Sequence, residues 1–148
     1  MVAKPGFETC SSSNLIEIME LIYKEESYAI VGACFEVYNV LGNGFDESIY
    51  HEGVEIELSS RNIPFVSELP IRVQYKGAFL QKFFKADVVS HEKIIIELKA
   101  VKAVKAVKAL NDHNRQQVIN YLKATSYRLG LLINFGAPEG LEYERIVL

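Results

Sequence analysis

The run IIIELK at Ile94–Lys99 places two ionisable residues, Glu97 and Lys99, at the end of an apolar stretch. Such a run is typical of a central β-strand that is covered on both faces. Because side chains alternate along a strand, Ile95 would share one face with Glu97 and Lys99. Ionised groups on a buried strand cost several kcal/mol each unless a partner compensates them. The run therefore indicates either a functional site or a solvated ion pair at the end of the strand.

Asp87 interrupts a second apolar run, FFKADVV at 83–89. A hairpin turn centred on Glu92 would place Asp87 directly opposite Glu97, with their Cβ atoms about 5 Å apart. Two like charges at that distance repel each other, and a divalent cation is the natural compensation. A register shifted by one residue would instead place the two carboxylates on opposite faces. The hypothesis is therefore a metal held by Asp87 and Glu97, with Lys99 orienting a phosphate and its attacking water.

Further residues suit such a site by spacing or position. Gln117 and Tyr121 are four residues apart and would be neighbours on one helix face, although an exposed Gln beside a half-buried Tyr is a common alternative. Glu47 begins a predicted helix, where a carboxylate also gains from the helix dipole. Lys102 and Lys105 belong to a repeated Val-Lys-Ala triplet that predicts lysines along one side of a helix. Both a solvated helix and a nucleic-acid contact remain open for that triplet.

No competing catalytic set is evident in the sequence. His51, His91 and His113 are scattered, and no glycine-rich phosphate loop follows a predicted strand. Cys10 and Cys34 have neither metal-binding nor redox spacing, so we expect reduced thiols and a cytoplasmic protein.

The elements that would position these residues follow from hydrophobic periodicity. A helix is predicted from Asn14 to Leu41, divided near 25–27, and a second runs from Asp46 to Ser60. Gly42 and Gly44 would end the first helix. Strands are predicted at 71–75, 79–89, 93–99, 127–135 and 142–148. A further helix is predicted at 111–124. This order predicts an α+β or three-layer α/β/α domain on one mixed sheet.

Length and composition are those of an ordinary globular protein, with 148 residues, 49% hydrophobic and 24% charged. We expect a single domain over 14–148 with residues 1–13 as a flexible N-terminal segment. No apolar run approaches the ~20 residues that a bilayer requires, and no secretory leader is recognisable. The net charge of −3 conceals a basic part, because residues 82–128 hold 10 Lys or Arg against 4 Asp or Glu. That part permits a polyanionic partner without requiring one.

Taken in order, these motifs resemble the GxxExxY family of small prokaryotic proteins, in the PD-(D/E)XK nuclease superfamily. The matching segments are GFDESIY at Gly44–Tyr50, Asp87 followed by ELK at 97–99, the Gln117/Tyr121 pair, which is similar to the QxxxY element of the RecB-like branch, and LLINFG at 131–136. Ala86 stands where the superfamily's name has a proline. The resemblance covers the chain from about Tyr28 onwards.

The resemblance implies a restriction-endonuclease-like fold, which is a mixed central β-sheet flanked by helices. It also implies roles for particular residues. These are Asp87, Glu97 and Glu47 as metal ligands, Lys99 as the catalytic lysine, and Gln117 and Tyr121 as supporting or substrate-contacting residues.

Functions of different classes stay open on the sequence alone. The leading hypothesis is a Mg²⁺-dependent phosphodiesterase, with Mn²⁺ able to substitute, that acts on nucleic acid and on DNA rather than RNA. Residues 82–128 would bind the nucleic-acid backbone. The alternative is a catalytically silent nuclease-fold module that binds nucleic acid or a protein, and a structural or homodimerising role is a third. A silent module would have no reason to keep the charges of Asp87, Glu97 and Lys99, so the enzyme is favoured.

Overall fold

The computed structural model describes residues 13–16, 22–102 and 110–148. The predicted N-terminal segment, residues 1–13, lies almost entirely outside the described residues, and so does Lys105. The elements are α1 (Lys24–Leu41), α2 (Glu47–Ser60), β1 (Phe65–Tyr75), β2 (Ala78–Ser90), β3 (Ile94–Lys99), α3 (Asp112–Thr125), β4 (Leu129–Asn134) and β5 (Glu142–Val147). Residues 13–16 are also helical. None of the described helices is long and apolar enough to cross a bilayer.

The first predicted helix is interrupted at Tyr23, and the predicted break at 25–27 is wrong. Tyr23 has a left-handed φ of 51°, so α1 begins at the next residue and 25–27 lie inside it. Gly42, with φ 69°, ends α1 as predicted, since a left-handed backbone favours glycine. Asp46 is the N-cap residue of α2, as predicted, and its backbone is extended, but its side chain makes no capping hydrogen bond.

The five strands form one mixed sheet in the order β1-β2-β3-β4-β5. β3 and β4 are parallel and every other neighbouring pair is antiparallel. Helix α3 lies between β3 and β4 in sequence, as a parallel pair requires a crossover connection. The predicted mixed sheet with flanking helices is confirmed, and the strand predicted near the end of the chain is β5, which lies at one edge of the sheet.

β3 is the middle strand and is buried on both faces, as its apolar sequence predicts. On one face Ile94, Ile96 and Leu98 belong to a core that includes residues of α1 and α2. On the other face Ile95 belongs to a second core that includes residues of α3. Glu97 follows Ile95 on the α3 face, so this charged residue lies on a strand whose other face is wholly apolar.

β1 and β2 form a hairpin that extends beyond the rest of the sheet. A turn with positive φ at Lys76 and Gly77 joins the two strands. β2 pairs with β3 only through residues 88–90, whereas its pairing with β1 continues to Ala78. We call residues 69–86 the arm, since no third strand of the described part of the chain lies beside them.

Candidate active site

Asp87 and Glu97 meet where the ladder between β2 and β3 ends. The ladder has the predicted register but stops at the pair Val88–Ile96, one pair short of these two carboxylates. In place of a further backbone contact, the N–H of Leu98 donates a hydrogen bond to Oδ2 of Asp87 at 2.8 Å. The Asp87 side chain thus acts as a backbone acceptor and is held against β3 beside Glu97.

Asp87 also lies at a break in the ladder between β1 and β2. That ladder leaves out Asp87 and the opposite residue, Glu68, which has a left-handed φ of 53°. The two strands change face at this point, because Val88 belongs to the α1–α2 core although Ala86, two residues away, belongs to the α3 core. The break therefore frees the Asp87 backbone from both neighbouring strands and lets its side chain turn to the end of β3.

The Glu97 carboxylate is almost fully buried, with its side chain only 4% exposed. Its Oε1 lies 3.6 Å from Nζ of Lys99. Its Oε2 is buried and has no hydrogen-bond partner among the described residues. Burial raises the pKa of Glu97 to about 8, the negative charge of Asp87 adds to this effect, and the Lys99 ammonium opposes it. The site thus combines two carboxyl groups with one lysine, and its burial disfavours the charged form of Glu97.

Lys99 lies at the open end of β3 with its side chain 16% exposed. Its backbone is held by β4, since the N–H of Phe135 donates to the Lys99 carbonyl at 2.8 Å. A mostly buried ammonium that contacts Glu97 and still reaches solvent can bind an anion that arrives at this end of the sheet.

Asn134 clamps the chain just after Lys99. Its Oδ1 accepts from the N–H of Val101 and its Nδ2 donates to the carbonyl of the same residue, both at 2.8 Å. A Cβ added to Gly136 would lie 2.6 Å from the Val101 carbonyl oxygen, so only glycine leaves room for this close approach. Neither residue was predicted to have a role of its own. The available signal was a polar Asn inside the apolar strand of the LLINFG segment.

Gln117 and Tyr121 lie on α3 and face the Glu97 side of the sheet. Nε2 of Gln117 donates to Oη of Tyr121 at 2.9 Å, which confirms that the two residues are neighbours. Tyr121 is 3% exposed, and the Phe84 ring lies 5.4 Å from its own. Burial raises the pKa of Tyr121 to about 12, and the Glu97 charge contributes. The pair thus borders the carboxylates.

Glu47 is the first residue of α2 and lies further from the pair of carboxylates. Although the residue as a whole is exposed, partial burial of its carboxyl raises its pKa, and the Asp87 charge raises it further while Lys99 lowers it. Within the described residues, no three His, Cys, Asp or Glu side chains converge closely enough to hold one ion. Asp87 and Glu97 interact directly, whereas Glu47 is affected by the Asp87 charge without joining the pair.

Tyr50 fixes the loop that presents Glu47. Its hydroxyl donates to the Gly42 carbonyl at 2.5 Å and accepts from the N–H of Phe45 at 3.2 Å. Its ring is stacked on Phe135, with 4.6 Å between centroids. The GFDESIY segment is thus a closed loop and helix start, which ties Glu47 to the end of β4.

The two predicted lysines of the Val-Lys-Ala triplet are described only in part. Lys102 is exposed and directly follows the segment that Asn134 clamps. Lys105, as noted above, lies outside the described residues, so the predicted helical arrangement of the triplet stays a prediction.

The residues present fit a divalent cation. Carboxylate oxygens are the ligands that Mg²⁺ prefers, and this ion commonly uses one or two protein carboxylates while it keeps several waters. Asp87 and Glu97 supply two such groups in direct interaction. The buried Oε2 of Glu97 has no donor among the described residues, so a cation there would satisfy an atom that the described side chains leave unpaired.

Comparisons with known proteins agree with this architecture. The chain is similar to the solved structure titled "Crystal structure of SSO0001", with a TM-score of 0.52 and 24% identity over 88% of this chain and 60% of that one. That likeness concerns the fold, and this chain spans 60% of the length of the solved chain. No curated protein matches the sequence. A family model for the PD-(D/E)XK nuclease superfamily matches residues 24–146. The chain belongs to the PD-(D/E)XK nuclease superfamily.

Proposed function

We propose that this protein is a divalent-cation-dependent nuclease that hydrolyses phosphodiester bonds, with DNA rather than RNA as its substrate. The observation that carries the proposal is the buried carboxylate of Glu97, held beside Asp87 with one oxygen that no described donor reaches. Membership of a nuclease superfamily supports the same conclusion. Buried like charges of this kind are costly unless the site uses them.

Asp87 and Glu97 are the proposed ligands of the ion, with Mg²⁺ as the natural cation and Mn²⁺ able to replace it. Glu47 is proposed to complete the outer part of the ion's surroundings, since its carboxyl already interacts with the Asp87 charge. A bound divalent cation supplies positive charge against the scissile phosphate and lowers the pKa of a nearby water. The chain's part is to hold the two carboxylates in place through β3 and the Leu98 N–H.

Lys99 is proposed as the catalytic lysine. Its ammonium lies 3.6 Å from Oε1 of Glu97 and remains partly exposed at the open end of β3. From there it can donate hydrogen bonds to a non-bridging phosphate oxygen and to the attacking water, which stabilises negative charge as it develops. The Asn134 clamp restrains the following residues, so the lysine backbone keeps its position during the reaction.

Gln117 and Tyr121 are proposed to support the substrate side of the site, because their hydrogen-bonded pair borders Glu97. Lys102 and Lys105 are proposed to contact the nucleic-acid backbone. The basic balance of residues 82–128 would draw a polyanion to this part of the molecule, and phosphate contacts of this kind make affinity fall as salt rises.

A cytoplasmic location is part of the proposal, and so is a homodimer as its oligomeric state. Cys34 is buried and forms no disulfide with any described residue, which is the usual state of thiols in a reducing compartment. Light scattering on the purified protein would measure the oligomeric state directly.

The deciding experiment is cleavage of single- and double-stranded DNA, and of RNA, with Mg²⁺ or Mn²⁺. Wild type is compared with Glu97→Ala and with Glu52→Ala, a matched control in which an exposed glutamate on α2 is removed. We expect metal-dependent cutting by wild type and by Glu52→Ala, and none by Glu97→Ala.

The opposite result is equally informative. If wild type cuts none of these substrates and binds DNA as well as Glu97→Ala does, without any metal, the protein is a binding module and the nuclease proposal is wrong.

A further inference from the structure

The arm carries an exposed basic and aromatic surface next to the candidate active site. Residues 69–86 contain four Lys or Arg, no Asp or Glu, and four Phe or Tyr. Residues 78–85 are all exposed. Positive charge and aromatic rings are thus concentrated on one hairpin of a chain whose net charge is −3.

One face of the arm packs toward α3. Ile71 and Phe84 are directly paired across the two strands, and paired residues share a face. Ile71 is buried in the α3 core, and the Phe84 ring lies 5.4 Å from that of Tyr121. This face therefore links the arm to the side of the sheet that holds Glu97.

The other face of the arm is exposed and holds four basic or aromatic side chains. Arg72 is paired with Phe83, and beyond an irregularity in the ladder at residues 80–82 Gln74 is paired with Phe79. Because Arg72 and Gln74 share one face of β1, Phe79 shares that face with Phe83, and alternation along β2 adds Lys85. Phe79 is 57% exposed and Phe83 is 54% exposed. Lys85 forms only an exposed ion pair with Glu68 at 3.7 Å, which is a weak interaction in water.

Unpaired nucleotides have the chemistry that this surface fits. Exposed aromatic rings stack on bases that are not paired, and neighbouring lysine or arginine side chains hold the phosphates between them. A duplex hides the faces of its bases inside the helix, so the two phenylalanines would gain little from it. The absence of any Asp or Glu in residues 69–86 gives a charge complementary to a polyanion.

The arm leads directly to the carboxylates. Phe83 lies four residues before Asp87 on β2, a distance of about 13 Å at the rise of a strand. The face of the arm that carries Phe83 is opposite the α3 face that holds Glu97, and the ladder between β2 and β3 stops at the pair Val88–Ile96. A strand of nucleic acid stacked on Phe83 would therefore reach the two carboxylates past the end of this ladder.

We infer that the outer face of the arm binds unpaired nucleotides, and that single-stranded nucleic acid, or a single-stranded end, is the substrate class of the site. The substrate assignment rests on the proposed nuclease function, whereas the binding surface can be tested without cleavage.

The test uses the full chain and a fluorescein-labelled 20-nucleotide DNA, single-stranded or as a blunt duplex, with binding followed by anisotropy in EDTA. One variant removes the rings (Phe79→Ala with Phe83→Ala), and another removes the charges (Arg72→Gln with Lys85→Gln). The control (Lys24→Gln with Tyr28→Ala) removes one charge and one exposed ring from α1. Circular dichroism confirms that each variant is folded.

We expect wild type and the control to bind the single strand at least fivefold more tightly than the duplex. The ring variant should lose about tenfold or more in affinity for the single strand and less than twofold for the duplex. The charge variant should flatten the plot of log affinity against log salt by about 1.4, at about 0.7 for each phosphate contact on a single strand.

Three results would overturn the inference. The first is that wild type binds neither the single strand nor the duplex. The second is that the ring variant binds the single strand as tightly as the control does, and the third is that the ring variant converts a dimer into a monomer without a change in DNA affinity. The last result would make the arm a contact between two copies of the chain. Cleavage assays with Mg²⁺ separate the two proposals, since single-strand binding without cutting rejects only the nuclease, and cutting without the ring effect rejects only the arm.

Discussion

The two faces of β3 have different roles, although their side chains alternate along the same six residues. Ile94, Ile96 and Leu98 pack into a wholly apolar core beneath α1 and α2. On the other face, Ile95 joins the α3 core, and the next side chain is Glu97, whose pKa burial raises to about 8. One face thus contributes stability to the fold, and the other places charged groups where their mutual repulsion can be relieved by a bound cation.

The largest effect of a substitution is expected on the charged face of β3. Glu97→Gln removes the charge and keeps the shape, so we expect cleavage to fall at least about a thousandfold, or about 4 kcal/mol in the activation barrier. The free energy of unfolding should not fall, because the substitution removes a buried carboxyl whose ionised form is disfavoured by burial and by the Asp87 charge. Cleavage rates and urea denaturation of the same preparations measure the two effects. A variant that is both inactive and strongly destabilised would contradict the division between the faces.

The apolar face should respond in the opposite way. Leu98→Ala leaves a cavity in the α1–α2 core, and we expect a loss of about 2–5 kcal/mol in the free energy of unfolding. Protein that remains folded should still cut its substrate, since no charged group is altered. Urea denaturation with a cleavage assay below the transition checks this. A loss under about 1 kcal/mol would show that this face is not the main source of stability.

A divalent cation should stabilise the wild-type protein through the charged face. Binding to the folded state alone adds about 2.7 kcal/mol at a concentration one hundred times the dissociation constant. Thermal melting in Mg²⁺ against EDTA should show the increase in wild type and in Leu98→Ala. If Mg²⁺ raises the melting temperature of Asp87→Asn as much as that of wild type, the ion binds elsewhere.

The Asn134 clamp connects the two faces, because it holds the chain that leaves β3. Asn134→Ala would leave the Val101 N–H and carbonyl without their partner, and we expect a loss of about 1–3 kcal/mol in stability together with a lower cleavage rate. Asn120→Ala, which removes only an exposed bond to Gln116, is the matched control. Equal effects of the two substitutions would argue against the clamp.

The smallest effect is expected at the loop before α2. Tyr50→Phe keeps the ring stacked on Phe135 but removes the bonds to Gly42 and Phe45, so we expect a loss of about 1 kcal/mol. The cleavage rate should fall tenfold or less, since Glu47 does not contact the carboxylate pair. A larger loss of activity, measured at unchanged stability, would give Glu47 a direct role.

Much of the fold follows from local patterns in the sequence. The left-handed glycine at Gly42 ends α1, and the apolar run of β3 predicts its central position in the sheet. The hairpin register also agrees with the prediction from a turn around Glu92, because a short turn leaves few registers that bury both strands. The break at Tyr23 was not predicted, since tyrosine, unlike glycine or asparagine, does not favour a left-handed backbone.

Which residues share a face can be predicted from the sequence, because side-chain direction alternates in a strand and repeats every three to four residues in a helix. Ile95 and Glu97 on β3, and Gln117 and Tyr121 on α3, followed from that rule. Two contacts could not be predicted in this way. Asp87 leaves both of its ladders and accepts a hydrogen bond from the Leu98 N–H, and Asn134 bonds to the backbone of Val101. These contacts join segments that lie 11 and 33 residues apart, and their geometry depends on how whole strands pack rather than on any local pattern.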